Sequence, residues 1–242
     1  ATSGDNYLML LDGADYFTFQ HLTFERMGGA PFSTIVEFRN GADFNNFSNN
    51  EFRASRNYTS IEFGDFSSIF SEDISDDVFN TFANNYFNGN GNGFWYYNTP
   101  GYSDPQSSII IENNKIETFY VGAFIIDQSS PKVLNNIISR TNASSIENFF
   151  GISLRNATGE NTEVAYNQVY AKAGNFGIAI RGALAPATDP VLVYNNFAQT
   201  GVEGRAFLVD DDAENVLIAH NNGLSSGNVL GAAALSIDGA ST

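Results

Sequence analysis

Short apolar runs along this chain are broken, again and again, by a polar pair. The clearest copies are Phe82-Ala83-Asn84-Asn85-Tyr86-Phe87, Ile111-Glu112-Asn113-Asn114-Lys115-Ile116, Val133-Leu134-Asn135-Asn136-Ile137-Ile138 and Val193-Tyr194-Asn195-Asn196-Phe197. Looser copies surround Asn49-Asn50, Asn167-Gln168, Asn221-Asn222 and, in first place, His21. From the first Asn of each pair, or His21, the intervals are 28, 35, 29, 22, 32, 28 and 26 residues. Alternation such as Ile178-Ala179-Ile180 predicts strands with one buried face. The Asn pair predicts a bend, because Asn tolerates left-handed backbone and its amide bonds neighbouring main chain.

A constant motif with variable spacing predicts stacked coils whose loops absorb length. A second element follows each bend: Gly93-Phe94-Trp95-Tyr96-Tyr97, Gly122-Ala123-Phe124-Ile125-Ile126, Gly151-Ile152-Ser153-Leu154-Arg155 and Gly177-Ile178-Ala179-Ile180-Arg181, with later versions at Arg205-Ala206-Phe207-Leu208-Val209 and Gly231-Ala232-Ala233-Ala234-Leu235. Each coil is expected to hold this longer strand, a loop, a short strand, the Asn bend and another short strand. The expected fold is all-β, a parallel solenoid of eight to nine coils, about 40 Å long at roughly 4.8 Å per coil. Amides of Asn49, Asn84, Asn113, Asn135, Asn167, Asn195 and Asn221 are expected to form a ladder, since an unpaired buried amide costs about 1–3 kcal/mol.

This texture, a polar pair, an apolar strand and then a Gly-led strand, resembles the right-handed parallel β-helix family of pectate-lyase-like proteins and many bacterial surface proteins. It is most similar to repeat proteins secreted to the cell surface by Bacteroidetes-type bacteria. The resemblance spans roughly residues 7 to 237 and implies an extracellular or cell-surface location. Function does not follow from it, because such repeats serve lyases, glycosidases, adhesins and stalks alike.

Composition narrows the function classes. A net charge of −16 with three Lys argues against nucleic acid, whose phosphates need Lys and Arg. It also opposes global attraction to polyanionic glycans and suits a self-repelling surface. There is no Cys, and no apolar run reaches membrane-spanning length. Leu235-Ser236-Ile237 opens an unfinished coil and no capping helix is evident, so a single domain, residues 1–242, within a longer parent chain is expected. Fifteen of 22 Phe precede residue 98, which predicts an aromatic stack filling the first coils.

Candidate chemistry is sparse. His21 and His220 fall at bends, where a structural role is expected, and no catalytic motif is convincing. Trp95, Tyr96 and Tyr97, with Tyr102, could form a sugar-stacking platform. Aligning the Gly-led strands puts Arg155 and Arg181 in one outward column beside Ile126 and Val209, with Asp127 and Asp210 one column on. The alternatives there are a solvated Arg–carboxylate ladder or a strip for a carboxylated or sulfated sugar. In a lyase, Arg155 and Arg181 would be the catalytic candidates. Asp127 and Asp210, three coils apart at roughly 14 Å, are too distant for a glycosidase pair. Calcium is the alternative at Asp210, Asp211 and Asp212, or at Glu72-Asp73 with Asp76-Asp77, against solvated loops, and neither has the loop spacing of known calcium repeats. Sequons begin at Asn46, Asn57, Asn142 and Asn156. The leading expectation is a non-enzymatic stalk, adhesin or glycan-contacting scaffold. A polysaccharide lyase or hydrolase is second. A trimeric phage fibre or tailspike segment is third.

Overall fold

Each strand of the computed structural model pairs in parallel with its counterpart one repeat away. The structure describes residues 7–26, 33–55, 66–71, 75–98, 108–140, 149–158, 161–171, 176–201, 203–226 and 232–239. Three parallel sheets run the length of the molecule. The long sheet has nine strands, from Tyr7–Asp12 to Ala233–Ile237. The second has eight, from Thr18–Gln20 to Val216–Ala219, and the third eight, from Thr23–Arg26 to Asn222–Ser225. One coil is typified by Phe150–Arg155, Glu163–Ala165 and Gln168–Ala171, one strand from each sheet. The fold is thus a parallel β-solenoid, with no helix among the described residues.

The Asn pair makes the corner between second and third sheets, and its two members differ in role. His21, Asn49, Asn84, Asn113, Asn135, Tyr166, Asn195 and His220 hold φ between 54° and 59°. These residues are exposed at the left-handed turn. The amide ladder is one residue later: Asn50, Asn85, Asn114, Asn136, Asn167, Asn196 and Asn221. This corrects the expected ladder at Asn49, Asn84, Asn113, Asn135 and Asn195. It keeps Asn167 and Asn221, because in those copies Tyr166 and His220 take the corner. The physical reason is the turn itself: the left-handed residue throws its side chain outward, and the next residue points in.

From Asn114 onward each ladder amide does three things. The Asn114 Oδ1 accepts the backbone N–H of Asn85 at 2.8 Å and its Nδ2 at 3.1 Å, and Asn114 Nδ2 donates to Phe82 O at 2.9 Å. The same set recurs at Asn136 and Asn167. Corner backbone groups that a strand ladder would leave unpaired are thereby satisfied. A second ladder lies at the corner leading into the second sheet. Asn45 Oδ1 accepts from Phe17 N at 3.0 Å, and Asn80 Oδ1 accepts from Asn45 N at 2.8 Å. The left-handed residues before Phe17, Asn45 and Asn80 are Tyr16, Phe44 and Phe79, stacked 4.8 and 4.7 Å apart.

The core is one continuous apolar column. Phe19, Phe47 and Phe82 stack in the second sheet, and Phe24, Phe52 and Phe87 in the third. The third-sheet column then tapers through Ile116, Ile138, Val169 and Ala198 to Gly223. Across the core, Phe207 of the long sheet takes up the space: a Cβ on Gly223 would lie 3.2 Å from its ring.

The Gly that leads each long strand has a steric cause. A Cβ on Gly93, Gly122 or Gly151 would meet the carbonyl oxygen of the next coil's Gly at 2.4 Å. It would also strike Ile116, Ile138 or Val169 respectively, at 2.8, 2.4 and 2.2 Å. Ala206 enters this column where the third sheet has shrunk to Gly223.

Candidate functional site: a groove on the outer face of the long sheet

The register of the long sheet decides which outward side chains meet. Trp95, Phe124, Ser153, Ala179 and Leu208 form one outward column, and Val121, Phe150, Phe176 and Arg205 another. In the first column, side-chain size falls from Trp95 and Phe124 to Ser153 and Ala179. That drop leaves a groove of about 340 Å³, part of it open to solvent, lined by Trp95, Tyr120, Val121, Phe124, Phe150, Ser153 and Arg181.

Its walls are aromatic and interlocked. Trp95 meets Phe124 edge to face at 4.5 Å, Tyr120 meets Phe150 at 5.6 Å and 85°, and Phe150 stacks on Phe176 at 5.2 Å. The Arg181 guanidinium lies 5.2 Å from the Phe176 ring centroid, a cation–π contact. Its one ion pair, to Asp210, is long at 3.5 Å, and its Nε is shielded from solvent without a hydrogen-bond partner. A buried donor of this kind costs about 1–3 kcal/mol when unmatched. The hydroxyls of Tyr120 and Ser153 have no hydrogen-bond partner among the described residues. Burial pushes the Tyr120 phenol above its ordinary range, so it remains a neutral donor at physiological pH. Apolar walls with a few converging polar groups are the usual makeup of a small-ligand site.

The sequence-derived candidates fall unevenly around this groove. Trp95 and Arg181 line it. Tyr97 lies 6.2 Å from Trp95, ring to ring, just beyond the lining. Tyr96 is a correction: alternation turns it inward, where it is fully buried, accepting from Asn80 Nδ2 at 2.7 Å and donating to Asp77 O at 3.1 Å. It offers no surface to a ligand. Arg155 pairs with Arg181 across adjacent strands, as aligned, and is exposed with no partner among the described residues.

On the far side of Arg181 stands Asp210, not Val209. Here Ala206, rather than Arg205, occupies the Gly position, which shifts the last frame by one. Asp127 therefore shares no column with Asp210. It sits at a left-handed corner with φ 54° and accepts from Asn156 Nδ2 at 2.9 Å. Asp211 and Asp212 are also left-handed, at φ 54° and 57°. Among the described residues, no cluster of three His, Cys, Asp or Glu is placed to hold a metal ion. Tyr102, Glu72, Asp73, Asn57 and Asn142 lie outside the described residues. Likewise, no described helix is long and apolar enough to cross a membrane.

Tyr120, Phe124, Phe150 and Ser153 are groove residues that the sequence reading passed over. For Phe124 and Ser153 the signal was present in the aligned Gly-led strands, as a fall in size along one column from Trp95 to Ala179. Comparison of the chain with known protein families, with curated proteins and with solved structures returns no match.

Proposed function

We propose that this chain is a non-catalytic, surface-displayed module of a larger secreted bacterial protein, holding a glycan in the groove on its long sheet. The observation that carries this reading is the groove itself: aromatic walls, two hydroxyls without a partner among the described residues and one under-coordinated guanidinium on a parallel sheet. Sugar rings suit such walls, since their C–H faces pack on aromatic rings while their hydroxyls seek hydrogen bonds. Its lining residues include one cation and no carboxyl, which favours holding over cutting.

The test is a glycan array run beside an absorbance screen for unsaturated products on uronate polymers, with and without calcium. Binding without absorbance growth is expected. Growth that disappears in a folded Arg155→Ala/Arg181→Ala double variant would make the chain a lyase. Silence in both assays would remove glycan contact as its role.

A further inference from the structure

The groove combines a local positive charge with a strongly negative molecule, and the two together restrict its ligand. The formal net charge is −16, so a polyanion is repelled as it approaches. The groove lining itself carries one cation, Arg181, and no carboxyl, and Arg155 stands just outside it. Arg181 has its long ion pair and its unmatched Nε, and Arg155 is beside it on the next strand, exposed and unpaired among the described residues. Adjacent strands put the two backbones about 4.8 Å apart. Two Arg side chains rising from neighbouring register positions can reach one anion between them.

Size sets a second limit. Much of the groove's 340 Å³ is open solvent, so it holds at most one sugar ring and no long chain segment. The walls are edge-to-face pairs, Trp95 with Phe124 and Tyr120 with Phe150. They form a slot rather than an extended flat platform. Tyr120 and Ser153 then supply hydroxyls for a ring that bears hydroxyls of its own.

Resting on the glycan-holding reading above, we infer that the groove selects a single sugar-acid ring carried on an otherwise neutral glycan, its carboxylate shared by Arg181 and Arg155. A repeating polyuronate is disfavoured by the charge of the whole molecule. A neutral sugar is disfavoured because it brings no charge to Arg155, which has no partner among the described residues.

The chain has a single Trp, Trp95, and it lines the groove, so intrinsic fluorescence reports occupancy. Titrations at low salt would use methyl β-D-glucuronide, methyl β-D-glucoside and polygalacturonate. Expected is a glucuronide affinity on the order of millimolar with a change in Trp95 emission, and glucoside binding at least about tenfold weaker. Arg181→Gln should remove that difference while the fold, read by circular dichroism, is retained. Should that variant fail to fold, Tyr120→Phe is expected to weaken both sugars. Equal binding of glucuronide and glucoside, with a Trp95 response, would overturn the acid selectivity and leave the glycan groove standing. Tighter binding per uronate by polygalacturonate would overturn the single-charge limit. Glucuronide binding without a Trp95 response would place the site elsewhere. No response to any of the three, with a positive glycan array, would overturn the groove as the glycan site.

Discussion

At the residue scale, two Asn neighbours in one motif have opposite roles, and substitution separates them. Asn113 supplies a left-handed backbone at φ 56° on the surface, whereas Asn114 is buried and satisfies three backbone or amide groups. Asn113→Ala should cost about 1–2 kcal/mol for the left-handed conformation, and Asn113→Gly much less. Asn114→Ala strands the N–H of Asn85 and the carbonyl of Phe82, so a loss of roughly 2–5 kcal/mol is expected. Urea denaturation of the three variants checks the order. A second residue-level feature is Asp77, which has no solvent exposure. Burial is the main cause that holds its carboxyl above the usual 3.8, against bonds from Ser75, Ser71 and the Ala42 N–H that lower it. Ser71 Oγ lies 2.7 Å from Asp77 Oδ2 and 3.1 Å from Tyr97 O, yet has one proton. Ser71 donates to Asp77 Oδ2, and a proton placed on Asp77 would free it to donate to Tyr97 O instead. With the folded value raised, the stabilisation from this proton is complete below 3.8 and is lost as pH rises through the folded value. Asp77→Asn mimics the protonated form. Its melting temperature relative to the parent should rise as pH is raised above 3.8; a constant difference would show that Asp77 does not titrate there.

At the element scale, the Gly-led strand is set by the contact between sheets rather than by a turn. Gly151 abuts both the Gly177 carbonyl and Val169 of the third sheet. Gly151→Ala should therefore destabilise by roughly 1–3 kcal/mol, the usual cost of overpacking. A Val169→Ala partner change should recover only part of this, because the backbone contact remains. Thermal melts of the single and double variants measure both. The aromatic corner at Tyr16, Phe44 and Phe79 follows related logic. Large side chains are uncommon in left-handed backbone, and here parallel ring stacking and the Asn45 and Asn80 bonds hold them. Later left-handed turns use Ser130, Asn161 and Asn215. The 35-residue interval between Phe44-Asn45 and Phe79-Asn80 equals that between Asn49 and Asn84, so this second ladder could have been read from the chain.

At the scale of the whole molecule, stability spreads along one dimension, each coil resting on its neighbours. The middle strands of the long sheet are buried almost throughout, whereas Val216–Ala219, Asn222–Ser225 and Ala233–Ile237 are half-buried or exposed. Amide exchange should accordingly be slowest from Val121–Ile126 to Phe176–Arg181 and fastest in those last strands, by orders of magnitude. Uniform protection along the solenoid would contradict this. Most of the groove lining lies in this middle stretch, so it should exchange among the slowest amides.

The repeat, the parallel solenoid class and the aromatic filling of the first coils were all legible in the chain, because period and polarity are local properties. So was the pairing of Arg155 with Arg181, which needs only an aligned motif. Three matters were decided in three dimensions. The ladder fell on the second Asn because the left-handed residue must face outward. Asp210 came opposite Arg181 because packing against Gly223 admits Ala206 at the Gly position. The groove formed because a fall in side-chain size across neighbouring coils becomes a cavity only when those coils are stacked in register.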